Sequence, residues 1–171
     1  FCIGGGTAIA TGRGEKLSSL LGLSNTYIVL AKYRSLEVST PWAYKSYRSL
    51  YSDSYVKDKE NLTARASAVH SGEIVKAISN QDASQVAEKM HNDLEKVVLP
   101  EYPQVLKLKE SFAKYDILGT MMSGSGPSVF ALCESKDKAE QVKINLRNEI
   151  PSDDLEIFVT KLINHGIQVI S

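Results

Sequence analysis

Three short stretches combine residue types that can hold an anionic or aromatic ligand. In MSGSGPSV, residues 122–129, Gly124 and Gly126 free the backbone to turn N–H groups inward, while Ser123, Ser125 and Ser128 add hydroxyl donors. Such a loop can cradle a phosphate, although the same letters also describe a hairpin turn of small residues. It is not a P-loop, because no lysine follows the glycines. In ATGRGE, residues 10–15, Gly12 and Gly14 flank Arg13, a cation on a permissive backbone that could approach a phosphate or ribose. A β-bulge with an exposed arginine has the same pattern. In STPWAYK, residues 39–45, aromatics at 42 and 44 follow a helix-cap signal. An aromatic face can stack on a nucleobase, for about 1–3 kcal/mol per stack, or serve only in packing.

Other chemistries find less support. His70, His91 and His165 have no cysteine or carboxylate partners at ligand spacing, so a metal site built by the chain is not expected, and no serine–histidine–acid triad can be placed. Twenty basic residues balance twenty acidic ones. There is therefore no global field to gather nucleic acid or an anionic membrane, and local loops must hold any anion. No apolar run approaches the roughly 20 residues needed to span a bilayer. Cys2 and Cys133 each lie in an apolar run and fit reduced core thiols, pointing to the cytoplasm or a plastid stroma.

The elements that must position these stretches follow from periodicity. Residues 27–33, YIVLAKY, form a short apolar run, with Lys32 near its end, expected to be a buried strand. Ser39 or Thr40 caps a helix whose first position is Pro41, where the missing N–H costs nothing, and which runs to about Tyr51. Residues 53–63 are polar and unpatterned, which predicts a surface loop, and 71–78 a short helix. Asp82 and Gln85 resemble a capping box. Val86, Met90, Leu94 and Val97 then share one helical face, predicting a long amphipathic helix that places Asn92 and Asp93 on a solvated face and is stopped by Pro100. A further helix carries Val105, Leu108 and Phe112. The runs 118–122 and 129–133 read as two strands joined through the glycine loop. A helix on Ala139, Val142, Leu146 and Ile150 ends at Pro151, a strand covers 157–163, and 167–170 could continue it. This mixture predicts an α+β layer with helices on one face of a sheet. The chain opens at Phe1 inside a glycine-rich strand pattern, which leads us to expect a piece of a longer protein.

In this order and at these separations, FCIGGGTAIATGRGE, VSTPWAYK, HNDLE and MSGSGPSVFALCE resemble the second half of a GHMP kinase. The glycine loop resembles a motif shared by the whole superfamily. The GRGE and STPWAYK segments resemble the branch that acts on 4-diphosphocytidyl-2-C-methyl-D-erythritol, in its cyanobacterial and plastid form. The resemblance implies a ferredoxin-like C-terminal domain over residues 27–171. It also implies that 1–26 are a β-rich remnant of an N-terminal ribosomal-S5-like domain, with the active site between the two.

The implied reaction is phosphorylation of the 2-hydroxyl of that substrate, with ATP and Mg2+ as cofactors, in non-mevalonate isoprenoid synthesis. Thr40, Pro41 and Tyr44 would line the cytidine pocket. Gly12, Arg13 and Gly14 would lie beside the nucleotide part of the substrate. Ser123, Gly124, Ser125 and Gly126 would border the place where the phosphoryl group and the erythritol meet. The family's catalytic aspartate and ATP-phosphate loop belong to segments without a match here, so no catalytic residue is assigned and this chain alone is expected to be inactive. The expected partner is the remaining N-terminal half of the same enzyme. Two alternatives stay open: a GHMP kinase of the homoserine or mevalonate type, and a non-catalytic α+β ligand-binding module.

Overall fold

The computed structural model describes residues 4–12, 14–55 and 59–167, with the side chains of 59–63 and 66 left aside. The expectations that fall on Arg13, Cys2 and residues 168–170 lie outside the described residues. Strands β1 (Thr7–Thr11) and β2 (Lys16–Leu20) form an antiparallel hairpin of their own. Strand β3 (Tyr27–Tyr33) then enters a four-stranded antiparallel sheet with β4 (Gly119–Met122), β5 (Val129–Cys133) and β6 (Leu155–Lys161). The order across that sheet is β4-β5-β3-β6.

Among the described residues six α-helices lie between β3 and β4: α1 (Thr40–Leu50), α2 (Lys59–His70), α3 (Glu73–Ser79), α4 (Ala83–Lys89), α5 (Glu95–Glu101) and α6 (Pro103–Phe112). One more, α7 (Lys136–Glu149), joins β5 to β6. The sheet therefore has the strand–helices–strand–strand–helix–strand path of a ferredoxin-like fold, with the first strand of the path inside the sheet.

Alternation along the strands sets the core. Val29 and Ala31 pair with Ala131 and Val129 and are fully buried under the helical layer. That layer contributes Val98, Val105, Leu108, Phe112, Ala139 and Leu146 to one cluster. The opposite parity carries Leu30, which pairs with Phe130 on one side and with Phe158, 52% exposed, on the other. Helix α4 closes on β4 at Gly119, where an added Cβ would stand 3.0 Å from Ala87 Cβ, so the glycine makes that close approach easy.

Most predicted elements are present within a residue or two, and three expectations are corrected. Residues 59–70, read in part as loop, form helix α2, which has no apolar stripe for periodicity to detect. The single helix expected from Asp82 onward is broken: Met90 is extended at ψ 133° and α5 restarts after Leu94. Val86, Met90, Leu94 and Val97 keep their apolar spacing across the break, so the pattern conceals it. Pro100 lies within the last turn of α5 instead of ending it, and the chain turns at Tyr102 into α6, which opens on Pro103. Asn92 and Asp93 thus sit in a turn, not on the solvated face of a helix.

Candidate functional site

The candidate site lies where α1, the 90–94 break and the β4–β5 loop converge. Helix α1 forms as read: Ser39 Oγ accepts from the Trp42 N–H and Pro41 occupies the first turn, where no donor is lost. Its two leading aromatics diverge. Trp42 packs edge-on against Tyr102, ring centroids 5.5 Å apart, and belongs to the core. Tyr44 is 56% exposed and lines a cleft of about 590 Å³. One helical turn on, Tyr47 lines the same cleft and stacks on Tyr51 at 5.0 Å. Lys96 Nζ lies 5.4 Å from the Tyr51 ring and 2.8 Å from Asp93 Oδ1. The Lys96 hydrogen bond holds the Asp93 carboxyl below the usual carboxylate range, against partial burial, and the Tyr47 hydroxyl adds to the effect.

The glycine loop is a tight reversal joining β4 to β5. Ser123 N–H donates to Ser128 O at 2.8 Å and Gly126 N–H to Ser123 O at 2.9 Å. Gly124 and Gly126 adopt φ of +56° and +80°, which a side chain would disfavour. At Gly126 a Cβ would also stand 2.9 Å from Met122 Sδ. Three outside groups fix this loop. Ser125 Oγ and Thr40 Oγ1 are hydrogen-bonded at 2.7 Å, joining the loop to the start of α1. Asn92 Nδ2 donates to Met122 O at 2.9 Å and to Gly124 O at 2.7 Å. Glu95 Oε1 accepts from Met122 N–H at 2.7 Å, while its other oxygen pairs with Lys109.

The structure therefore brings together Thr40, Tyr44, Ser123, Gly124, Ser125 and Gly126, with Pro41 setting the start of the helix between them. Gly12 and Gly14 lie in the turn of the β1–β2 hairpin and do not line this cleft; Gly14 N–H donates to Thr11 O at 3.1 Å. The sequence reading missed Asn92, Tyr47, Tyr55, Arg65 and Met121 as cleft residues. Of these, only Tyr47 carried a usable signal, its i+3 spacing from Tyr44. Arg65 Nη1 is held by Ser54 O at 2.7 Å, a contact between α2 and the preceding turn that no local pattern encodes.

The cleft brings the exposed rings of Tyr44 and Tyr55 together with Gly124 of the glycine loop. Residues 74–152 match the family model "GHMP kinases C terminal", and the chain carries a domain of that class. More particularly, it is 64% identical over 99% of its length to 4-diphosphocytidyl-2-C-methyl-D-erythritol kinase of Trichormus variabilis, and 64% identical over its full length to the enzyme of that name from Nostoc punctiforme. It spans 54% of each, so about half the length of the curated relatives it matches. Among solved structures, homoserine kinase from Cytophaga hutchinsonii superimposes with a TM-score of 0.66 at 22% identity, over 96% of this chain and 51% of that one. A 4-(cytidine 5'-diphospho)-2C-methyl-D-erythritol kinase superimposes at 0.59, also at 22% identity, over 89% of this chain and 48% of that one. These two likenesses establish the shared fold.

Proposed function

We propose that the polypeptide to which this chain belongs transfers a phosphoryl group from ATP to the 2-hydroxyl of 4-diphosphocytidyl-2-C-methyl-D-erythritol, a step of isoprenoid synthesis. The observation that carries the proposal is the meeting of α1 with the glycine loop. Thr40 and Ser125 are bonded at 2.7 Å, and Tyr44 and Gly124 line one cleft, in a chain 64% identical to relatives of that name. In this reading residues 27–171 form the C-terminal domain and 1–26 belong to the N-terminal one, whose remaining part is the partner that completes the site.

In this reading the residues take the following roles. Tyr44, with Thr40 and Pro41 fixing its helix, offers a face to the cytosine. Gly124 and Ser125 present donors toward the region where charge is redistributed in phosphoryl transfer, with Ser123 and Gly126 closing the turn that aims them. Gly12, Arg13 and Gly14 are assigned to the nucleotide part of the substrate. ATP and Mg2+ are the cofactors of the whole enzyme. Among the described residues no group of three His, Cys, Asp or Glu side chains could hold a metal ion, so Mg2+ is assigned to no residue here and no step is routed through it. Among the described residues no helix is long and apolar enough to cross a membrane, and we assign the enzyme to the cytoplasm or a plastid stroma.

The test is ADP release by the longer polypeptide supplied with ATP, Mg2+ and either the cytidine substrate or homoserine, with this chain alone as control. Turnover of the cytidine substrate by the longer polypeptide, and none by this chain, is expected. Turnover of homoserine instead would keep the class and discard the base pocket. No turnover with either would favour a non-catalytic module.

A further inference from the structure

In the break between α4 and α5, Asn92 is hydrogen-bonded to the glycine loop. Asn92 uses its whole amide. Oδ1 accepts from Leu94 N–H at 3.0 Å, which fixes the turn on its own segment. Nδ2 spends its two protons on Met122 O and Gly124 O, at 2.9 and 2.7 Å. Three residues on, Glu95 takes the Met122 N–H, so both outward backbone groups of Met122 are held from one segment. Strand β4 is an edge of the sheet, and its outward groups would otherwise face solvent or a wandering neighbour. Glu95 is itself held: its side chain is 14% exposed and paired with Lys109. Of these two side chains, Asn92 also reaches the loop proper, at the carbonyl of Gly124, while Thr40 holds the Ser125 hydroxyl from α1. A peptide unit whose carbonyl is fixed has its following N–H fixed as well, because the unit is planar. The Gly124 carbonyl and the Ser125 N–H belong to the same unit.

We infer that Asn92 is a positioning residue for phosphoryl transfer: by holding the Gly124 carbonyl it sets the direction of the Ser125 N–H toward the ligand's phosphoryl group. The inference rests on the reading under Proposed function for what the loop binds. Neutrality matters as much as reach. An aspartate at 92 would keep the acceptor for Leu94 N–H but turn a carboxylate oxygen toward two carbonyl oxygens, pushing the loop away. A serine would keep an acceptor for Leu94 and lose the span to both carbonyls.

The experiment compares Asn92→Asp and Asn92→Ser with wild type in the longer polypeptide. It reads kcat and KM separately and records the amide resonances of Gly124, Ser125 and Gly126. The expected result is a kcat lowered about 10- to 100-fold in the aspartate variant, as for a misplaced reacting group, with KM for the cytidine substrate within threefold. Resonance shifts should be concentrated in the loop, and the serine variant should be intermediate. A kcat within twofold of wild type in both variants, a rise in KM at constant kcat, or unmoved loop resonances would overturn it. If the aspartate variant fails to fold, the serine variant decides by the same readouts. If wild type does not phosphorylate the cytidine substrate, the functional reading fails, and the loop resonances still decide whether Asn92 holds the loop.

Discussion

The molecule contains two glycine-bearing hairpins with similar letters and different surroundings. TGRGE turns β1 into β2, a two-stranded ribbon in which four of the five β2 residues are exposed. SGSGP turns β4 into β5 inside the four-stranded sheet, with Met122 fully buried at its entrance and with Thr40, Asn92 and Glu95 bonded to it from two other segments. Glycine gives both turns their shape. The SGSGP loop is held by Thr40, Asn92 and Glu95, reaching it from two other segments, and those bonds fix its direction. Preorganised donors are what a phosphoryl-transfer site needs, because they stabilise developing charge without first having to reorganise.

The largest test of that difference is a pair of alanines. Gly126→Ala combines a φ of +80° with a Cβ 2.9 Å from Met122 Sδ and 3.5 Å from Val98 Cγ1. Backbone strain and overpacking together should cost about 3 kcal/mol. Gly14→Ala combines a φ of +99° with open space, so strain alone applies, about 1 kcal/mol. Urea denaturation of the longer polypeptide should lower the midpoint clearly more for Gly126→Ala. Equal shifts would mean that the two turns are equally loose and would remove the contrast.

A functional version of the same contrast uses the ring beside the anchored loop. Tyr44→Ala should reduce kcat/KM for the cytidine substrate by the equivalent of about 1–3 kcal/mol, the range for losing one base stack, and leave the ATP parameters unchanged. The ring is 56% exposed and supports no core, so the loss cannot be ascribed to unfolding. An unchanged kcat/KM would take Tyr44 out of the site and leave the cleft without its aromatic role.

The same contrast explains what the sequence did and did not disclose. Strands β3 and β5 could be read to the residue because each is a short, largely apolar run with turn signals at its ends. The Ser39 cap and the glycine loop could be read because their signals are local. The break at 90–94 could not, since Met90 and Leu94 keep the apolar spacing of a continuous helix while the decisive bonds of Asn92 run to residues 30 and 32 positions away. Helix α2 was missed for a related reason, having no stripe to detect. Anchors made by tertiary hydrogen bonds have no period, and the SGSGP loop is held by just such bonds.

The smallest effect tests the layer beneath the anchored loop. Glu149, on α7, accepts from Lys114 at 2.5 Å, Tyr115 at 2.6 Å and Ser111 at 2.8 Å, tying α7 to the end of α6. These bonds, that of Lys114 first, lower its carboxyl from an ordinary 4.5 to about 2. A depressed carboxyl binds its proton less readily when folded than when unfolded. Its stabilisation is therefore complete above about pH 4.5 and is lost as pH falls through about 2. The side chain is 27% exposed and Lys114 is 61% exposed, so solvent screening reduces the contribution to about 1 kcal/mol. Hydrogen exchange across this range should show β4 and β5, which rest on α6 and α7, losing protection as the pH falls, and Glu149→Gln should flatten that dependence. If the variant kept the wild-type pH profile, the α6–α7 tie would not support the anchored loop, whose order would then come from Thr40, Asn92 and Glu95 alone.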